Sequence, residues 1–455
     1  MVLGWKNTPA LTGLGGWTLW VGIVCTTQAA MALDLGSAYE AALGQDANIR
    51  AARAADDAGR ERLHQARSQW LPNVSFSATR NKNQLDASSP NALGINQDTQ
   101  SEYFSQNQTL TYRQALYNKP KVADFKQAGY QVADADALLA REMQNLTTRV
   151  GEAYFGALLA EDQVALLLSQ ETLARTQLDA AQKSLLGGSG TRTDIDEVQA
   201  RLDLNAAQLL EARQNVDYTR QQVVALINQP VTELAPLNVD RLQLLPPNPA
   251  TFSEWQMLAE RSSPEITVLQ ARVEAARWQI EKSRGGHLPT LDLVAQWSIS
   301  DSEYVTQLKT SYNTRSMGLQ LTVPLYGGGY VDSTVRQAVA EYERAVETLE
   351  ATRRDLGIRL YKEFRGVTEG VLRVKALEQA VRSAEQAVVS SRKSSLAGVR
   401  TQLDVLKADS QKMESMRDLA QARYLYLLSR LRLTALAGLA DKVSVDEINS
   451  YLKNK

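Results

Sequence analysis

The chain has 455 residues, enough for a large core or for two domains. Its 50 lysines and arginines nearly balance 51 aspartates and glutamates, for a net charge of −1, and no basic stripe with interleaved aromatics is present, which sets nucleic-acid binding aside. Ala, Leu, Gln and Arg are abundant and prolines number only 12, a composition suited to long helices.

At the N-terminus, Lys6 precedes an apolar stretch through Trp17, Leu19, Trp20, Val21, Ile23 and Val24 that ends in Ala30-Met31-Ala32. This is the pattern of a signal peptide over residues 1–32, cleaved before Leu33. A single membrane anchor is the other reading. The one cysteine, Cys25, lies inside this stretch, and Gly22-Ile23-Val24-Cys25 lacks the small residue expected before a lipidated cysteine. Beyond residue 33 no apolar run approaches twenty residues, so any membrane crossing must use strands.

Residues 33–229 form a first repeat. A helix over about 34–69 is stopped by Leu71-Pro72, because proline pushes the preceding residue out of the helical region. Val74, Phe76 and Ala78 then alternate with polar residues, as do Leu110, Tyr112 and, more weakly, Leu116, which predicts two strands with one apolar face. The polar stretch between them, 81–102, reads as a surface loop. Leu146, Val150, Ala153, Ala157, Ala160, Val164, Leu167, Glu171, Ala174, Leu178, Ala181 and Leu185 follow at 4-3 spacing, a coiled-coil seam with one polar member. A helix over 120–186 would be roughly 100 Å long. Its partner returns from a turn near Gly190 to about Asn228. A Pro-rich connector, 230–251, leads on.

Residues 252–437 repeat the plan. A helix over 252–284 meets Leu288-Pro289; Leu291, Leu293, Ala295, Trp297 and Ile299 form one alternating strand, and Met317, Leu319, Leu321, Val323 and Leu325 another. A second seam runs Leu360, Phe364, Val367, Val371, Val374, Leu377, Val381, Ala384, Val388, and Leu406, Met413, Ala420 and Leu427 mark the returning helix. A tail, 438–455, closes the chain. Residues 47–80 align with 264–297 without gaps, and both repeats carry G-x-R-T-x-x-D: Gly190, Arg192, Thr193, Asp196 and, 208 positions on, Gly398, Arg400, Thr401, Asp404. Thr193-x-x-Asp196 and Thr401-x-x-Asp404 read as capping boxes, with the glycines ending the outgoing helices. Capping leaves the arginines unexplained. A cation at a helix N-terminus opposes the dipole and calls for an anionic partner.

Four strands cannot close a barrel, which needs about eight or more, and open edges are intolerable in lipid. If these strands face lipid, several chains share one barrel. The rival is a coiled-coil scaffold carrying two β-hairpins. Nothing points to an enzyme, a metal site or a cofactor: His64 and His287 do not correspond across the repeat, and Gly327-Gly328-Gly329 reads as a tight strand-to-helix joint.

The stretches LQLTVPLYGGGYVDSTVRQA (319–338) and AGVRTQLDVLKA (397–408), with the duplication, resemble the TolC family of outer-membrane export channels over nearly all of the chain beyond residue 33. The resemblance implies a mixed α and β fold in the Gram-negative outer membrane. Each chain would give four transmembrane strands and long coiled-coil hairpins, three chains making one twelve-stranded barrel and a periplasmic α-helical tunnel, with connector and tail near its equator. It implies a passive exit duct coupled to a periplasmic adaptor and an inner-membrane ABC or other pump, exporting proteins by type I secretion or, alternatively, small molecules. By position, Arg400 matches a gate arginine, Asp404 a constriction aspartate and Asp196 the aspartate that pairs with the arginine; Arg192 joins them through the internal repeat alone. Lys407 stands where relatives often carry a second aspartate, which weakens any preference for cations. Ser189, Gly190, Thr191, Ala397, Gly398 and Val399 match the tips that meet the adaptor. Val74, Phe76, Leu110, Tyr112, Leu291, Leu293, Trp297, Leu319, Leu321 and Val323 would face lipid.

Overall fold

The computed structural model describes residues 32–90, 94–188, 190–302 and 310–452. Residues 1–31 of the expected signal peptide, and the expected tip residue Ser189, lie outside the described residues.

The first expected helix is two: α1 (Leu35–Gln45) and α2 (Ala47–Ser68). Asp46 separates them, because its carboxylate accepts the Ile49 N–H and caps α2. The matching helix of the second repeat divides likewise into α5 (Phe252–Ser262) and α6 (Pro264–Arg284), with Pro264 supplying a preset first helical position. Strands β1 (Asn73–Pro90), β2 (Asn96–Tyr117), β3 (Thr290–Ser302) and β4 (Thr310–Thr322) pair antiparallel in chain order, so the two hairpins join into one sheet through β2 and β3. The expected loop 81–102 is mostly strand. Its ladder continues from Arg80 opposite Gln106 to Pro90 opposite Asn96. Sequence periodicity misses this extension because both of its faces are mostly polar, so no apolar alternation marks it.

The long helices follow the seams. α3 (Lys119–Leu186) and α7 (Tyr330–Leu396) run out, and α4 (Arg192–Ile227) and α8 (Gln402–Leu436) return. At 1.5 Å per residue the 68-residue α3 is about 100 Å long. None of the twelve seam positions between Leu146 and Leu185 is exposed, Glu171 included. The polyglycine joint behaves as read: Gly328 and Gly329 take positive φ, and Gly329 is the N-cap of α7.

The core lies where the helices cross mid-length. Tyr154, Phe155, Leu158, Leu360, Tyr426, Leu427 and Leu431 are almost wholly inaccessible there. Around them the chain's outlying segments form a girdle. Leu33 bridges Leu234, Leu237 bridges Leu452, and α9 (Lys442–Asn449) packs on α1. The Tyr154 hydroxyl sits 3.0 and 2.9 Å from the carbonyl oxygens of Leu33 and Ala235. Asn449 accepts the Gly36 N–H and donates to Asp34.

Candidate functional site

Two regions carry the residues singled out by sequence. The first is the pair of helical-hairpin turns. Each outgoing helix ends on a glycine with positive φ, Gly188 at 75° and Gly398 at 72°. The turns share three backbone bonds: Gly187 and Ala397 donate to Lys183 and Lys393, Gly188 and Gly398 to Leu185 and Ser395, and Gly190 and Arg400 to Ser184 and Ser394. Each returning helix then opens with a reciprocal capping box. Asp194 N–H donates to Thr191 Oγ1 at 3.2 Å and Thr191 N–H to Asp194 Oδ2 at 2.9 Å; in the second turn Thr401 and Asp404 do the same at 3.3 and 3.1 Å.

This geometry corrects the repeat. The equivalent positions are Gly188 with Gly398, Thr191 with Thr401 and Asp194 with Asp404, an offset of 210 rather than 208. The box of the first turn is Thr191–Asp194, not Thr193–Asp196. The letters G-x-R-T-x-x-D recur, but the left-handed glycine of the first turn comes two residues earlier than that motif places it. Arg400 therefore corresponds to Gly190, and Arg192 to Gln402. Arg192 lies at the start of α4 with its Nε 3.3 Å from Asp196 Oδ1 one turn on, both side chains well exposed. Arg400 instead precedes its N-cap and reaches back to α7, donating to Ser391 Oγ at 3.0 Å. Hydrogen bonds from the Thr401 backbone and hydroxyl hold the Asp404 carboxyl below the usual carboxylate range, with smaller contributions from the charges of Arg400 and Lys407.

Sequence reading missed two features here. Leu186 and Leu396, the last residues of α3 and α7, are 89% and 91% exposed, and Val399 is 79% exposed. The tips therefore present apolar side chains to the outside, and a leucine directly before a helix-ending Gly or Ala was the available signal. The second feature is a buried polar cluster above the turns. Asp409 of α8 accepts from Gln177 of α3 at 3.0 Å and from Arg392 of α7 at 3.2 Å. Its signal was positional: Asp409 falls three residues after Leu406 and four before Met413, a seam position where an apolar residue belongs.

The second region is the sheet, whose register gathers the alternating residues onto one face. Val74, Tyr112, Ala295 and Met317 form one cross-strand row, and Phe76, Leu110, Trp297 and Arg315 the next. Leu293 lies opposite Leu319, and Leu291 opposite Leu321. Phe76 and Leu319, 67% and 66% exposed, show how little covers this face. Val323 follows the end of β4 and is also exposed. The other face is polar, with Ser75, Thr111, Gln296 and Ser316 in one row. On the apolar face the Arg315 guanidinium stands 5.6 Å from the Trp297 ring, an amphipathic pair where the apolar band ends. Among the described residues β1 and β4 pair on one side only, leaving two open edges, and no helix is long and apolar enough to cross a membrane.

These regions have counterparts in known proteins. The family model described as outer membrane efflux protein matches residues 38–229 and 255–439. The alkaline protease secretion protein AprF of Pseudomonas aeruginosa is 32% identical over 432 residues, covering 94% of this chain and 89% of that protein. The outer membrane protein TolC of Escherichia coli is 29% identical over 436 residues, covering 92% and 85%. The crystal structure of the outer membrane protein VceC from Vibrio cholerae superimposes with a TM-score of 0.76 at 18% identity, covering 89% of this chain and 96% of that one, a likeness of fold. The chain thus belongs to the outer membrane efflux protein family, and it is a TolC-type channel of the Gram-negative outer membrane that extends into the periplasm.

Proposed function

We propose that three copies of this chain form one passive exit duct for proteins, fed by an inner-membrane pump through a periplasmic adaptor. The observation that carries the assembly is the open sheet: four strands with one apolar face and two unpaired edges. Such a sheet is stable in lipid only when its edges meet others, and three copies supply twelve strands. Val74, Phe76, Leu110, Tyr112, Leu291, Leu293, Trp297, Leu319, Leu321 and Val323 then contact lipid, and the serine- and threonine-rich face lines the lumen. The hairpins project into the periplasm, where Arg400, Asp404, Asp196 and Lys407 surround the narrow end. Arg192 there neutralises Asp196 rather than acting as a second gate arginine. The exposed Leu186, Leu396 and Val399, with Gly190, Thr191, Ala397 and Gly398, offer the adaptor an apolar surface at the tips.

Protein cargo is favoured by the 32% identity to a protease secretion protein across nearly the full length of both chains. Small-molecule efflux is the second reading, favoured by the family description. The test is complementation of a Gram-negative host lacking its own duct and carrying a protease-dedicated pump and adaptor. Extracellular protease supports the proposal; restored dye efflux without protease export supports the second reading. Planar-bilayer currents of the native protein and of Arg400→Ala test the closed end. Small native currents that rise in the variant place the gate at the second turn, and equal currents remove it from there.

A further inference from the structure

Beneath the girdle, on the tip side of the mid-length core, α3, α7, α8 and the connector leave a cavity of about 410 Å³. Its walls are apolar: Leu166 of α3, Leu237 of the connector, Val381 of α7, and Met416 and Leu419 of α8. Size and lining are those of a small-molecule site rather than of a packing defect. One end is polar. Tyr424, itself buried, donates its hydroxyl to Asp162 Oδ2 at 2.7 Å. Among the described residues the other oxygen, Oδ1, accepts no hydrogen bond, and no cation stands within ion-pair distance of the carboxylate. Arg423 also borders this end, but its guanidinium is turned to Glu378, with Nη2 2.9 Å from Oε1, and its Nε is buried without a partner.

Charge decides what this end accepts. Asp162 and Glu378 set two negative charges against the one positive charge of Arg423, a net −1. The adjacent Glu161 is already paired with Arg220 at 2.7 Å. An anion brought to Arg423 Nε would face Asp162, whereas a cation at Oδ1 meets the unmatched charge. Burial holds the Asp162 carboxyl above its ordinary 3.8 in spite of Tyr424 and Arg423, so the ionised group is unfavourably placed as it stands. We propose that this cavity binds an amphipathic amine, its apolar body lying among Leu166, Leu237, Val381 and Leu419 and its protonated amine hydrogen-bonded to Asp162 Oδ1. The occupant touches α3, α8 and the connector at once and so fastens the girdle to the long helices. The site does not depend on what the duct exports, and its failure would leave the channel reading untouched.

Titration calorimetry of the assembled full-length protein in a neutral detergent tests it, with three probes that share one aromatic body: dansylcadaverine, its neutral N-acetyl form, and the anion dansyl-aminohexanoate. Native protein should bind the amine about tenfold or more tighter than either of the others, the ratio that one hydrogen bond to a charged group supplies. Asp162→Asn should remove that preference while melting no lower than native, since the amide still accepts from Tyr424 and buries no charge. Met416→Trp, which fills the cavity from its wall, should abolish binding of the amine with the heat-stable oligomer retained. The amine should raise the melting temperature of native protein and leave that of Asp162→Asn unmoved. Preference for the anion would make Arg423 the anchor and overturn the assignment of a cation. An amine preference that survives Asp162→Asn would overturn the role of that carboxylate. Equal binding of all three probes, unchanged by either substitution, would be partition into detergent and would overturn the site, as would the absence of binding by native protein.

Discussion

The middle of the molecule and its periplasmic tips use the same helices but are held by different forces. Mid-length, α3 and α8 bury whole aromatic side chains: Phe155 lies edge-on to Tyr154 and 5.8 Å from Tyr424, and the girdle closes over them with backbone hydrogen bonds. Toward the tips the buried apolar residues shrink to Ala174, Ala181, Val198, Val388, Val405 and Leu406, and Gln177, Ser391 and Asp409 are buried among them. Apolar contact is nondirectional and tolerates no loss of volume, whereas a polar contact can be exchanged for water or for a new partner. One region is therefore built to stay in place and the other is free to exchange contacts, as the proposed gate at the second turn would require.

The largest effect should come from damaging the fixed region. Phe155→Ala removes an almost fully buried ring and should cost about 3–5 kcal/mol. Thermal melting and recovery of heat-stable oligomer check it, and a variant that melts like native would deny the mid-length core its role as anchor. Next comes the membrane face. Leu293→Arg should cost about 2–4 kcal/mol if the residue lies near the bilayer midplane. Gln320→Arg, on the opposite face of the sheet, should insert normally. Equal yields of the two in outer-membrane fractions would show that the apolar face does not meet lipid.

At the tips the effects shrink and become local. Thr401→Ala removes the side-chain half of a capping box and should cost about 1 kcal/mol. It should appear as faster hydrogen exchange in the first turns of α8 with an unchanged melting temperature; a shift of the whole melting curve would mean that the tip is part of the core's cooperative unit.

The same contrast governs what the sequence disclosed. Seams and strand faces were legible because they are periodic and apolar, and periodicity survives without knowledge of the partner. The long β1–β2 extension was not, since its pairing rests on backbone hydrogen bonds between mostly polar residues. The turns misled by two positions because a motif was matched by letters, while the fold is set by which glycine adopts positive φ. Asp409 and Arg392 were invisible to a search for apolar repeats: their meaning depends on Gln177, 232 positions away from Asp409. Asp46 and Pro264 were visible as a cap and a helix-starting residue, yet they were passed over inside patterns that looked continuous.

Acid should separate the two regions in opposite senses. Asp162 in the fixed region is raised above its ordinary 3.8 by burial, against the opposing hydrogen bond from Tyr424 and the charge of Arg423. Ionised Asp162 therefore disfavours the folded state at neutral pH, and that penalty is relieved as pH falls through its folded pKa toward 3.8. Asp404 is lowered, so its contribution is present above 3.8 and is lost as pH falls below that value through its folded pKa. Hydrogen exchange between pH 7 and about 2.5 should thus show mid-length helices holding or gaining protection while the α8 tip loses it below 3.8. Asp404→Asn should abolish the tip's share of the pH dependence, and a parallel loss in both regions would refute the contrast.

The smallest effect should be at Lys407, exposed one turn beyond Asp404. Its charge helps hold the Asp404 carboxyl low, so Lys407→Asp should move that carboxyl up. It also exchanges a cation for an anion in each of three protomers at the proposed constriction, which should shift the reversal potential in a salt gradient toward cations. Both groups face water, so salt should erode the shift. A reversal potential unmoved by Lys407→Asp at low salt would place the constriction elsewhere along the helices, even with the gate at Arg400 intact.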